Sequence, residues 1–209
     1  MKILDEIICS ARLVGIMGND NRFLLKKCLD TRLHVDAQDI KWKTSRKQPG
    51  TNKFRDVGRR IDGDWDIEST VLVEEHARSM GLYPDIYRFL DNEIKFSEIT
   101  AYTNAVNSTG RKWRSTRDSQ KLESYCESLR KMYEEMSTTG YIQRQDEISR
   151  TLIVRYRLTE ILVDISRDGE LLFVDGIHRY LIAKKLKLPV VCQPVVVHPG
   201  FDLDKLSSL

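Results

Sequence analysis

The chain has 209 residues, 41% of them apolar, enough for one sizeable core or for one domain carrying an insertion. Its formal net charge of +3 is too small for wholesale nucleic-acid binding to follow from charge alone, so any electrostatic argument rests on how the charges are distributed. Cys9, Cys28, Cys126 and Cys192 show neither CxxC spacing nor clustered histidines, which argues against a zinc site, and no stretch approaches the length of a membrane span or reads as a secretory signal, so free thiols and a cytoplasmic setting are expected.

In chain order, residues 1–30 form an N-terminal helical segment. Ile3, Leu4, Ile7, Ile8, Ala11 and Leu13 share one face, Gly18-Asn19-Asp20-Asn21 breaks the pattern, and residues 23–29 resume it. Residues 33–42, LHVDAQDIKW, read as a strand and its exit. Across 41–60 the basic residues Lys41, Lys43, Arg46, Lys47, Lys53, Arg55, Arg59 and Arg60 face the single acid Asp56, and over 62–98 the balance reverses.

The segment GRRIDGDWD at 58–66 spaces Asp62, Asp64 and Asp66 two apart. Alternate acids can converge on a cation. The EF-hand spacing is not met, so calcium is not indicated, whereas magnesium, which needs only one or two carboxylates, would suit Asp64 and Asp66. A second reading is a solvated acidic turn with Trp65 packed beneath it. After Ser69 a helix is predicted through Val71, Leu72, His76 and Met80 to Gly81, and Ile86, Tyr87, Phe89, Leu90, Ile94 and Phe96 continue a small helical cap. His76 there reads as a surface or packing residue.

Residues 110–117, GRKWRSTR, set Arg111, Lys112, Arg114 and Arg117 around Trp113, a composition that stacks a base and neutralises phosphates, or else forms a solvated loop over a buried tryptophan. From Asp118 on, Leu122, Tyr125, Cys126, Leu129, Met132, Tyr133 and Met136 keep a helical stripe that Gly140 ends, and Tyr141 leads onward.

Most of the functional signal lies in 160–199. The apolar runs 161–165 and 171–174, with Asp168-Gly169 between them, predict a hairpin. The second strand ends at Asp175-Gly176. Tyr180, Ile182, Ala183, Leu186 and Leu188 then give a helix with one buried face, Lys184, Lys185 and Lys187 suit its C-terminal end, Pro189 stops it, and 190–197 is a further strand. A helix N-terminus offers unpaired amides, and Gly176 lets an anion approach them. His178 and Arg179 in that first turn oppose the dipole, so an anionic ligand such as phosphate explains them. The plain alternative is an ordinary corner in which Asp175 caps the helix and Arg179 pairs with a surface carboxylate.

The run DGELLFVDGIHRYLIAKKLKLPVV resembles the ParB/sulfiredoxin family, well over the C-terminal forty or so residues and more weakly over 119–145. The resemblance implies an α+β fold: a small mixed sheet with helices spanning 31–60 and 119–200, plus the N-terminal helical segment and a mainly helical insertion, or cap, at 61–118. The GDWD run is similar to one in uncharacterised ParB-like proteins with the same insertion. Sulfiredoxins carry a reactive cysteine where this chain has Ile177, and ParB partition proteins carry Glu-Arg-Arg and continue into a helix-turn-helix domain. The Asp-Gly-x-His-Arg form looks closer to the kinase-like members of the free-serine kinase type.

By that resemblance Gly176, His178 and Arg179 clamp the phosphates of ATP or another nucleoside triphosphate. Asp175, with Asp64 or Asp66, holds Mg2+ or takes a hydroxyl proton, and Arg114 or Arg117 offsets transition-state charge. The expected function is phosphoryl transfer from the nucleotide to a small hydroxyl-bearing acceptor, or nucleotide hydrolysis. The alternative is a ParB-type module binding nucleic acid through 41–60 and 110–117, with nuclease activity a weaker third.

Overall fold

The computed structural model describes residues 24, 27, 28, 31–46, 56–107, 118–141 and 160–208. The strands are β1 (Leu33–Asp36), β2 (Arg59–Arg60), β3 (Ile161–Ile165), β4 (Leu171–Asp175) and β5 (Pro189–Val197). The α-helices are α1 (Val73–Ser79), α2 (Asp85–Leu90), α3 (Thr100–Val106), α4 (Ser119–Thr139) and α5 (Ile177–Leu186). Short 3-10 turns occupy Phe96–Glu98 and Leu203–Ser208. The architecture is α+β, a mixed five-stranded sheet with helices. The expected N-terminal helical segment lies mostly outside the described residues; of it, Leu24, Lys27 and Cys28 are helical.

The strand order is β1-β5-β3-β4, with β2 also on β5. β3 and β4 form the expected antiparallel hairpin, and β3 runs parallel to β5. β1 pairs antiparallel with residues 189–192 of β5 and β2 parallel with Val196 and Val197, so the two short strands share the edge of β5 opposite β3. Pro194 has no N–H to donate inside this central strand, and the register of β3 shifts beside it, between Val163 and Ile165. Beyond β4, Trp42 and Lys43 continue the sheet, with the Phe173 amide donating to the Trp42 carbonyl at 2.8 Å.

Alternation along the strands separates two apolar faces. Ile161, Val163, Ile165, Phe173 and Cys192 join the larger core with the helices. Leu162, Leu172, Val174, Val195 and Val196 face the other way and pack with Val57 and Trp65. Segment 56–69 is therefore the cover of the second face. The packed tryptophan of the second reading is observed, Trp65 being buried with its indole N–H donating to the Ile61 carbonyl at 2.9 Å, but the turn is not wholly solvated, since Asp66 is buried as well.

The apolar spacing of α5 predicts one buried face, whereas Ile177, His178, Tyr180, Leu181, Ile182 and Ala183 are all buried. The reason is that α5 lies between the sheet and the cap, touching α2 and α4 as well as β3 and β5. Its lysines tie the cap down: Lys184 to Glu74, and Lys185 to Asp91 at 2.7 Å.

On the second face Asp164 is fully buried, and the Arg46 guanidinium bonds it through Nε (2.9 Å) and Nη2 (3.3 Å) while Nη1 reaches Asp56 (2.7 Å). Burial works against the Arg46 charge, but the two carboxylates outweigh it and raise its pKa further. Losing one member of such a network strands a charge out of water. Arg46→Ala is therefore expected to destabilise the fold by about 3–5 kcal/mol, read as a lower midpoint in urea with the slope preserved. Asp164→Asn, which keeps hydrogen-bonding capacity, should cost less.

Candidate functional site

The β4–α5 corner is shaped by one close approach. Gly176 takes φ +96° and ψ +29°, and a Cβ there would stand 3.2 Å from the Ile161 Cα. The left-handed backbone favours glycine, and a side chain would in addition press on Ile161. The ten residues of α5 begin at once, with no acid in the first turn, so its leading amides have no carbonyl of their own helix to bond. Asp175 closes β4 opposite Leu162.

His178 stands in this turn, 9% exposed. Its Nε2 lies 3.2 Å from the Tyr102 hydroxyl and its Nδ1 3.0 Å from the Tyr125 hydroxyl. Tyr102 comes from α3 and Tyr125 from α4, and the Tyr125 ring meets the imidazole edge-on at 5.4 Å. Both ring nitrogens are thus engaged by groups that the 160–199 stretch does not contain.

Arg179 pairs with Glu160 just before β3, Nη1 donating to Oε2 at 2.8 Å. The two side chains are 11% and 1% exposed. The Tyr141 hydroxyl donates to the same Oε2 at 2.7 Å and its ring lies 5.7 Å from the guanidinium. Burial, reinforced by Glu160 against Arg179, pushes the Tyr141 phenol far above its ordinary value, so it remains a donor. The countercharge of Arg179 is a buried carboxylate, not a surface one.

Asp64 and Asp66 are not brought to this corner. Arg167, in the β3–β4 turn, takes both. Its backbone N–H and Nε donate to Asp66 Oδ2, each at 2.9 Å, and Nη2 reaches Asp66 Oδ1 and Asp64 Oδ1, also at 2.9 Å. That turn and Asp175 lie at opposite ends of β4, roughly 15 Å apart at about 3.3 Å per residue. Neighbouring His198 joins the acidic turn, its Nε2 lying 3.1 Å from the Gly63 carbonyl oxygen and 3.7 Å from Asp62. Among the described residues no three histidine, cysteine, aspartate or glutamate side chains are grouped to hold a metal ion. Arg114 and Arg117 lie outside the described residues.

The basic run divides. Arg46 is committed to the interior, Arg59 approaches Asp56 at 3.7 Å, and the Arg60 guanidinium donates to the Phe201 carbonyl at 2.7 Å. Lys47, Lys53 and Arg55 lie outside the described residues. Cys28, Cys126 and Cys192 are buried free thiols, and burial pushes the first two up to about 12.

Glu160, Tyr141, Tyr102 and Tyr125 were not predicted as site residues. Tyr125 is visible in the sequence only as part of the apolar stripe of α4 and Tyr141 only as the start of the segment leading back toward the site, while Glu160 and Tyr102 carry no local signal. Compared with family models, with curated proteins and with solved structures, the chain matches none.

The Arg167 contacts set an acid response. Burial alone would raise the Asp66 carboxyl, but the bonds from Arg167 outweigh it and hold the group well below the usual carboxylate range. A depressed folded-state pKa contributes stability that is complete above the unfolded value, about 3.9, and is lost as pH falls toward the folded one. Urea unfolding should therefore show stability falling below about pH 4 in the parent. Asp66→Asn should be less stable at neutral pH and show a flatter slope across that window.

Proposed function

We propose that the β4–α5 corner seats the phosphates of a nucleotide, ATP or another nucleoside triphosphate, and that the protein transfers a phosphoryl group to a small hydroxyl-bearing acceptor or to water. The observation that carries this reading is the geometry of Asp175-Gly176-Ile177-His178-Arg179. A left-handed glycine, pressed on Ile161, delivers the end of a strand into the first turn of a ten-residue helix that bears an arginine and no acid. Amides and partial positive charge at such a turn favour an anion. The resemblance of this run to the ParB/sulfiredoxin family supports a nucleotide as the source of that anion.

The roles follow from position. The amides of the first turn and the Arg179 guanidinium meet the phosphate oxygens, and Glu160 with Tyr141 holds Arg179 against the corner. Of the acids expected to serve Mg2+, Asp175 stands at the corner, while Asp64 and Asp66 are neutralised by Arg167 at the far end of the hairpin. Asp175 is thus the carboxylate to which this reading gives the ion or the hydroxyl proton. His178 keeps its place in the first turn with its ring nitrogens directed at tyrosines.

Thermal unfolding with ATP and Mg2+ tests this. Ligand at about a hundred times its dissociation constant adds about 2.7 kcal/mol to stability, a shift of several degrees. Arg179→Ala, compared with its own ligand-free baseline, is expected to lose that response. Absence of any nucleotide-dependent shift in the parent, or a full shift in the variant, would count decisively against the assignment.

A further inference from the structure

We propose that His198 is a proton-operated latch: as the neutral Nε2–H tautomer it ties the acidic turn at 61–66 to the turn at 198–201, and a second proton makes it let go of the latter while it keeps the former. The latch sits beside the end of β3 that meets the start of β4, away from the phosphate seat, and does not depend on it.

His198 follows β5 and is 5% exposed. Its own amide donates to the Ile165 carbonyl at 2.9 Å, and the Phe201 amide donates to the His198 carbonyl at 3.0 Å, closing a tight turn over Pro199 and Gly200. Both ring nitrogens meet backbone groups whose hydrogen-bonding roles are fixed. The Gly200 N–H, which can only donate, reaches Nδ1 at 2.9 Å, and the Gly63 carbonyl, which can only accept, lies 3.1 Å from Nε2. Of the two neutral tautomers the Nε2–H form satisfies both contacts. The Nδ1–H form satisfies neither, since it sets donor against donor and lone pair against lone pair.

Because Nε2 already carries a hydrogen, a second proton goes to Nδ1. At 2.9 Å the gap to the Gly200 nitrogen has room for one hydrogen and not two, so the bond becomes a repulsion. The charged groups on the elements packed around the ring are Asp62, Asp64 and Asp66 of the acidic turn, Arg167 of the β3–β4 turn, Arg60 on the Phe201 carbonyl, and Asp202 just beyond it. Arg167 is matched by Asp64 and Asp66, and Asp202 accepts from the Asp204 amide. Asp62, 3.7 Å from Nε2, is the carboxylate nearest the charged ring. The charge therefore strengthens the hold on the acidic side, where the bond to Gly63 becomes charge-assisted, as it removes the acceptor of Gly200. What the latch joins gives the exchange its reach. The acidic turn belongs to the cover of one sheet face through Trp65, and the segment after Gly200 carries Phe201 and Leu206 into the core on the other.

Nuclear magnetic resonance of the full chain, with nitrogen-labelled histidine and glycine, reads both ends of the latch with no nucleotide present. His198→Asn identifies the ring signals among the four histidines. At neutral pH the expected parent spectrum has a proton coupled to Nε2 and a bare Nδ1. Lowering the pH from about 8 to 5, the range over which histidines change charge, should then move the Nδ1 and Gly200 amide resonances with one common midpoint. Asparagine sets an oxygen near the place of Nδ1 and takes no proton, so in His198→Asn the Gly200 amide should hold still. Glutamine sets a donor near the place of Nε2 and no acceptor for Gly200, so in His198→Gln that amide should stand at its low-pH position throughout. A proton on Nδ1 at neutral pH overturns the proposal, as does a ring that stays neutral across the range, a Gly200 amide that ignores the ring's titration, or one that still titrates in His198→Asn; should a variant fail to fold, the parent decides alone. Failure of nucleotide to shift thermal stability would sink the phosphate seat without touching this result, and the converse holds.

Discussion

The sheet has two apolar faces, and both must be shielded from water. β3 shows the constraint most plainly: all five of its residues are buried, Ile161, Val163 and Ile165 toward the helices and Leu162 toward Trp65. A hairpin and one further strand cannot shield themselves. At about 25 cal/mol per Å2 of apolar surface, an uncovered face would forgo several kcal/mol, comparable to the whole margin by which a domain is stable. The stretch between β1 and α4 answers that demand twice, segment 56–69 closing one side and helices α1 to α3 building over α5 on the other.

This double duty places the candidate site. The cap that covers α5 also delivers Tyr102 to His178, and the helix that follows it delivers Tyr125. The chemistry of the corner is thus joined to the packing of the cap, and the tyrosines serve as core and as hydrogen-bond partners at once. On the opposite face the charges are absorbed into structure, Arg46 with Asp56 and Asp164, and Arg167 with Asp64 and Asp66. Arg46 shows the physical requirement: a guanidinium buried beneath a sheet needs carboxylates to meet its planar donors.

Local features were legible in the sequence. Asp168-Gly169 between apolar runs announced the hairpin, and the glycine after Asp175 announced the corner. The 21-residue α4 was readable from its stripe, and its N-terminus is capped by the Asp118 carboxylate. α3 escaped notice because TAYTNAV buries two alanines and one tyrosine, Ala101, Ala105 and Tyr102, which leave little aliphatic contrast with the threonines and asparagine between them. β2 was invisible for a different reason, since two arginines become a strand only by pairing with Val196 and Val197. The same limit applies to Glu160 opposite Arg179 and to the inward turn of Arg46. These partners are 19 and 118 residues apart, and no periodicity spans such distances.

The way β5 is flanked has a bearing on self-association. A long strand with one bare side is a template onto which another molecule can add, repeatedly, until a fibre grows. Here the flank of β5 away from β3 is shared by two fragments of opposite direction, four residues and two residues long. Across the molecule, Trp42 and Lys43 lie along the outer side of β4. A foreign strand arriving at either margin meets short, mismatched pieces in place of a continuous ladder, which disfavours runaway polymerisation of a chain so rich in valine and isoleucine over its last fifty or so residues.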